Sequence, residues 1–220
     1  MSLYDGRVVV VVPRGFDRTQ IPQILHEKRA WIARAQQKVT EQRELAGTNG
    51  STDRPEAVSL RAVGEEWGVG YEVAATPGRV SYRWNGESLL IRGDVADPQL
   101  CRLALQHWMK RKAHAHLVPW LLGLSEEHAL LVTRVLVRSQ RSRWGSCSRH
   151  GTISLNQKLL FVPPALVRYV LLHELCHTVH FDHSPAFWEL LAQRDPRCQA
   201  MDAELDNAWR YVPVWAYPQR

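Results

Sequence analysis

Short alternating apolar runs dominate the first part of the chain, and helical stripes dominate the rest. Leu3-Tyr4 and the run Val8 to Val12, joined across Asp5-Gly6, predict a hairpin whose second strand is buried. From Ile21 to Leu45 the apolar positions Ile24, Leu25, Trp31, Ile32, Ala35 and Val39 recur at helical spacing and predict one long helix. Ala46 to Glu56 is polar, rich in Gly, Ser, Thr and Asn, and reads as a loop. Four short strands follow, near Val58–Val63, Tyr71–Ala75, Arg79–Trp84 and Ser88–Arg92. Their turns are expected at Gly68/Gly70, Pro77-Gly78 and Asn85-Gly86, the last being the strongest hairpin signal of the chain.

Asp97-Pro98 pairs a side-chain cap with a first-turn proline and opens a helix to about Val118, where Pro119 bends or ends it. Val132–Val137 alternates as a strand, and Thr152–Leu155 forms another after the turn Arg149-His150-Gly151. Pro163-Pro164 stand at the start of a strongly apolar helix. Ser184-Pro185 opens a further helix through Ala192, and Asp195-Pro196 opens the last. The chain carries no internal repeat. This order predicts an α+β fold in two parts. Residues 1–95 form a smaller N-terminal α/β region with β-hairpins and one long helix. Residues 96–220 are expected to form a larger domain of helices and a small mixed sheet.

Composition narrows the setting without choosing the chemistry. With 45% hydrophobic and 23% charged residues the chain is ordinary for a soluble globular protein, and no apolar run approaches a membrane span. Val8 to Val12 is too short for a signal peptide or an anchor. The four cysteines (Cys101, Cys147, Cys176, Cys198) are scattered, which argues against a disulfide framework and for a reduced, cytoplasmic protein. The net charge of +6 is concentrated in clusters such as Lys110-Arg111-Lys112 and the arginines at 138, 141 and 143. Such clusters are ordinarily solvated faces, but they also attract phosphates, so nucleic acid is kept as a partner that is allowed rather than required.

The chemistry lies in His173-Glu174-Leu175-Cys176-His177, followed by His183. Two histidines four apart stand one above the other on a helix, so both imidazoles reach one metal ion. His183 supplies a third nitrogen and leaves a fourth tetrahedral position open; Asp182, Glu189 and Glu204 are rival oxygen ligands. Glu174 stands beside the first histidine, placed to take a proton from water. One Zn2+ per chain is the expected cofactor. The His173 to His183 interval matches the long metzincin motif, but His180 stands where that motif carries glycine, and Met201 does not sit in a Met-turn. The spacing is therefore shared with metzincins and the subfamily is not. Cys176 points away from the metal-binding face and is expected to pack.

Three further stretches, together with these, carry a family resemblance: Arg141-Ser142-Arg143-Trp144-Gly145-Ser146-Cys147-Ser148, Gly151-Thr152-Ile153-Ser154-Leu155-Asn156 and His183-Ser184-Pro185-Ala186-Phe187-Trp188. In them the chain resembles the YgjP-like metal-dependent hydrolases, related to the SprT-like and minigluzincin-type zincins. The resemblance spans nearly the whole chain and is specific from about residue 138 onward. It implies a zincin-like metallopeptidase domain over residues 96–220, zinc on His173, His177 and His183, and Glu174 as catalytic base.

The expected activity is hydrolysis of peptide bonds in a peptide or unfolded protein by a monomeric enzyme. Trp144, Gly145, Ser146 and Asn156 are candidate substrate-binding residues. The 144–147 turn joins two strands beside the metal helix, and the second is expected to offer an edge on which an extended peptide adds as a strand. The alternative is that Trp144 packs beneath the site and Asn156 caps the following segment. Tyr169, His180 and Arg138 are candidates for stabilising the oxyanion. Rival functions are a nucleic-acid-associated protease of SprT-like type, a metal-binding module without turnover, and a hydrolase of a phosphate-containing substrate.

Overall fold

The computed structural model describes residues 2–4, 7–9, 12, 15–29, 33 and 54–217. Strands β1 (Ser2–Tyr4) and β2 (Arg7–Val9) pair as the antiparallel hairpin expected at the start of the chain. Of the long helix expected over 21–45, α1 (Ile21–Glu27) lies within the described residues and most of the remainder lies outside them. The loop expected at 46–56 is described only from residue 54 onward.

The next four strands are β3 (Ala57–Leu60), β4 (Glu65–Val73), β5 (Val80–Asn85) and β6 (Ser88–Gly93). They form one sheet in the order β3-β4-β6-β5. Two expectations are corrected here. Gly68 and Gly70 lie inside β4 instead of marking turns, and the turn falls at 61–64, where Gly64 has φ +68°. The glycines sit on the sheet face opposite Trp67 and Val69, where no side chain is needed to fill a core. Pairing also departs from a simple meander, because β4 and β6 run parallel and β5 lies outside them.

Helix α2 (Pro98–Glu127) is capped as expected, with Asp97 Oδ1 accepting from the Gln99 and Leu100 amides at 2.8 and 3.3 Å. It does not stop or break at Pro119. An interior proline costs roughly 3 kcal/mol, but Leu117, Leu121 and Leu124 bury on either side of it. Each contributes about 1.5–3 kcal/mol, enough to carry the helix through.

A three-stranded sheet follows, made of β7 (Arg134–Arg138), β8 (Gly145–Cys147) and β9 (Thr152–Asn156) in the order β7-β9-β8. The stretch read as a turn is thus itself a strand, and it is β8 that lies at the edge, with β9 central. Residues 157–161 make a 3-10 turn. Helices α3 (Pro164–Cys176), α4 (Pro185–Arg194) and α5 (Cys198–Leu205) complete the α+β architecture.

One hydrophobic core runs from Val58 to Ala216. The inner face of the first sheet meets α2 through Trp67 edge-on to Trp108, with ring centroids 5.2 Å apart. The Ala62 amide donates to the Leu160 carbonyl at 3.0 Å, so the turn between β3 and β4 is tied to the 3-10 turn that follows β9. The boundary expected near residue 95 falls in the link between β6 and α2, and the core is continuous across it. Among the described residues no helix is long and apolar enough to cross a membrane, and the four cysteines are free thiols.

Candidate metal centre and its surroundings

Helix α3 starts at Pro164, where a missing amide proton is harmless, and buries Leu166, Val167, Tyr169 to Leu172, Leu175 and Cys176. That burial fixes the rotation of the helix and turns its last turn toward α4. His177 is the C-cap, still close to helical at φ −67°, ψ −10°. The chain then loops through residues 178–183 and brings His183 back just before α4.

The three imidazoles converge. His173 Nε2 lies 3.2 Å from His177 Nε2 and 3.0 Å from His183 Nε2. Ligand atoms of a tetrahedral zinc, each about 2.0–2.1 Å from the ion, stand about 3.3 Å from one another. The triad also meets the grouping expected for a cation, with all candidate ligand atoms within 4.8 Å of each other. Neither Asp182 nor Glu189 nor Glu204 joins it among the described residues.

The far sides of two rings are occupied in the way a ligand requires. His177 Nδ1 stands 2.9 Å from the His180 carbonyl, so it carries the proton and leaves Nε2 with its lone pair. His173 Nδ1 faces the Tyr169 hydroxyl at 3.4 Å, and that hydroxyl donates onward to Asp202 Oδ1 at 2.7 Å. Burial and then the Asp202 carboxylate hold the Tyr169 phenol protonated. Tyr169 is therefore committed behind His173 rather than free to meet an oxyanion, and His180 acts through its backbone. Phe187, fully buried, stacks on His177 with centroids 4.5 Å apart and packs edge-on to His173 and His183.

Burial, followed by the neighbouring His177 and His183, pushes the His173 imidazole down to about 3, and burial lowers His177 as well. Both rings are thus neutral at physiological pH, as ligation requires. Glu174 is 6% exposed, and its Oε2 has no hydrogen-bond partner. Burial pushes its carboxyl up to about 8, against the Arg143 charge, which acts to lower it. An orphaned buried carboxylate oxygen on the residue next to His173, with three imidazoles converging, fits a divalent cation with its water, and the positive charge would return the carboxyl to its ionised form. The donor set suits zinc.

The remaining candidates lie on or near β8. The Asn156 amide donates to the Trp144 carbonyl at 2.8 Å, and the Ser148 amide to the Thr152 carbonyl at 2.9 Å. By antiparallel alternation the backbone groups of Gly145 and Cys147 then point outward from the sheet edge. Side chains alternate too: Trp144 stacks on Trp209 with centroids 3.9 Å apart, whereas Gly145 faces Glu174. Ser146 is half-buried, paired with Ser154. Asn156 is fully buried, its Nδ2 donating to the carbonyls of Gln140 and Arg143 at 3.0 and 2.8 Å. Lys158, equally buried, donates to the Gln140 carbonyl at 2.8 Å, and burial pushes its ammonium down to about 8. Asn156 and Lys158 together pin the 139–143 loop from beneath.

Sequence reasoning did not assign Asp202, Phe187 or the pairing of Gly145 with Glu174. Phe187 carried a local signal, since it lies four residues beyond His183 on the same helical entry. Asp202 lies 33 residues from Tyr169 and carried none.

Comparison with known proteins defines the class: the chain is a metallopeptidase-type, metal-dependent hydrolase. The YgjP-like metallopeptidase domain matches residues 2–208, and the chain belongs to that family. Among solved structures, the chain is similar to the metallopeptidase zymogen abylysin of Pyrococcus abyssi. The identity is 21% and the TM-score 0.39, over 44% of this chain and 99% of that one. No curated protein matches it.

Proposed function

We propose that the chain hydrolyses peptide bonds, with zinc held by His173, His177 and His183 and with Glu174 as general base. The observation that carries this is the convergence of three imidazole nitrogens beside a buried carboxylate whose Oε2 is unpaired. Zinc held there would acidify a water molecule and polarise the scissile carbonyl. Glu174 takes the proton from the attacking water and passes it to the leaving amine. The Asp202–Tyr169 pair and the His180 carbonyl hold two of the imidazoles in the required tautomer.

The outward backbone groups of Gly145 and Cys147 support docking of an extended peptide along β8, directly beside Glu174. Trp144 and Asn156, with covered side chains, serve this edge by holding it: Trp144 from beneath through Trp209, Asn156 through the 140–143 loop. Main-chain pairing of this kind tolerates many sequences, so unfolded segments are the substrate class we assign. Catalysis belongs to residues 96–220, and the sheet of residues 57–93 braces α2.

The test is a mass-spectrometric search for new peptide termini after zinc-loaded protein is incubated with unfolded proteins, beside the Glu174→Gln variant. New termini with the wild type alone are expected. Equal silence from both, each holding one zinc, refutes peptide hydrolysis.

A further inference from the structure

Among the described glycines, Gly145 is the one whose missing side chain is filled by the proposed base. A Cβ built there would lie 2.5 Å from Glu174 Oε1, 2.6 Å from its Cγ and 2.7 Å from its Cδ. Its φ is not positive, unlike that of Gly151 in the neighbouring turn, so space and not backbone angle calls for glycine. The strand cannot back away. Gly145 is in register with Leu155, the Trp144 carbonyl is held by the Asn156 amide, and the Trp144 ring is stacked on Trp209. Nor can the Glu174 backbone retreat, because it belongs to the last turn of α3 between two buried apolar residues, Leu172 and Leu175, that fix the helix.

We propose that Gly145 is a positioning residue for Glu174: the bare Cα of the strand sets where the carboxylate stands between α3 and β8, in register with the histidine nitrogens. The inference rests on the hydrolytic reading of the site and adds the device that fixes its base. Only the end of the Glu174 side chain can yield to a methyl group at 145, so Gly145→Ala displaces the carboxylate by about 1 Å while leaving the imidazoles in place. A misplacement of that size lowers turnover by about 100-fold.

The experiment is a double-substitution cycle. Gly145→Ala is expected to bind one zinc, keep its KM and lose about 100-fold in kcat. Glu174→Asp, shorter by one methylene, is expected to be harmful in the wild type but harmless or beneficial in the Gly145→Ala chain. The second readout is the melting temperature of the zinc-free proteins. Glu174→Ala should raise it more in the Gly145→Ala chain than in the wild type, because it removes the collision. If Gly145→Ala alone fails to fold, recovery of folding in Gly145→Ala/Glu174→Ala supports the proposal and continued failure overturns it. Additive melting temperatures, or loss of zinc from Gly145→Ala, also overturn it. Those results leave the hydrolytic reading untouched, whereas a wild type that cleaves nothing refutes that reading instead.

Discussion

Tyr169→Phe probes whether the groups behind His173 matter to the centre in front of it. The substitution keeps the buried ring and deletes a hydroxyl that donates to Asp202 Oδ1 at 2.7 Å and stands 3.4 Å from His173 Nδ1. Without that oxygen the imidazole loses the acceptor that fixes its tautomer, and the ring is freer to turn. Loss of an outer partner of a metal-bound histidine weakens metal affinity by about 10- to 100-fold. The 3.4 Å contact is long for a hydrogen bond, so the lower end applies, about 10-fold or about 1.4 kcal/mol. Asp202 is exposed enough to rehydrate, so the fold loses only about 0.5–1.5 kcal/mol. The assay is competition for zinc against a chromophoric chelator at neutral pH, with chemical denaturation in parallel. Asp202→Asn should weaken binding less, and the double variant should be no worse than Tyr169→Phe, because Asp202 reaches His173 only through the phenol. Unchanged affinity in Tyr169→Phe, or additive losses in the pair, refutes the relay.

Other expectations are read more quickly. In the zinc-free protein the Glu174 carboxyl is raised by burial from 4.5 to about 8, so the folded state holds a proton that the unfolded state releases between those values. Stability should therefore fall as pH rises through that window, and Glu174→Gln should flatten the decline; parallel denaturation profiles refute this. His173 acts oppositely, its depressed value of about 3 removing stability as pH falls below 6.5, so the two effects are separated by working above pH 6.5. Asn156→Ala deprives the Gln140 and Arg143 carbonyls of their donor and should cost about 1–3 kcal/mol in denaturation, with cleavage reduced and the zinc stoichiometry unchanged. Chelation should abolish cleavage and added zinc restore it; activity that survives complete metal removal, checked by elemental analysis, refutes the proposed chemistry.

Local signals were legible wherever one residue type decides the local structure. Asp97-Pro98, Pro163-Pro164 and Asn85-Gly86 mark two helix starts and a hairpin because each carries its own cap or turn geometry. The spacing of His173, His177 and His183 was legible for the same reason, since a helix and a short loop fix their reach. Where packing decides, the pattern misled. Pro119 reads as a break, yet the leucines around it keep α2 whole. Gly68 and Gly70 read as turns, yet they are the open face of a nine-residue strand. The Trp144–Cys147 stretch reads as a turn because so short a strand has no alternation of its own to show; only its partner β9 defines it. Parallel pairing of β4 with β6 was hidden because register across an intervening strand leaves no local trace.

Both sheets place their strands in the same way. A first strand waits for the third to lie parallel beside it, while the second closes the far side: β4 with β6 and β5, β7 with β9 and β8. This imposes a timetable on synthesis. When β7 leaves the ribosome it has no neighbour in its sheet until Thr152–Asn156 has followed, and β8 gains its partner at the same moment. The three histidines come later still, after every strand of that sheet has been made. A nascent or truncated chain ending before β9 would expose two unpaired strands and offer no ligand set. The proposed ligand set is thus complete only after every strand of that sheet has been made.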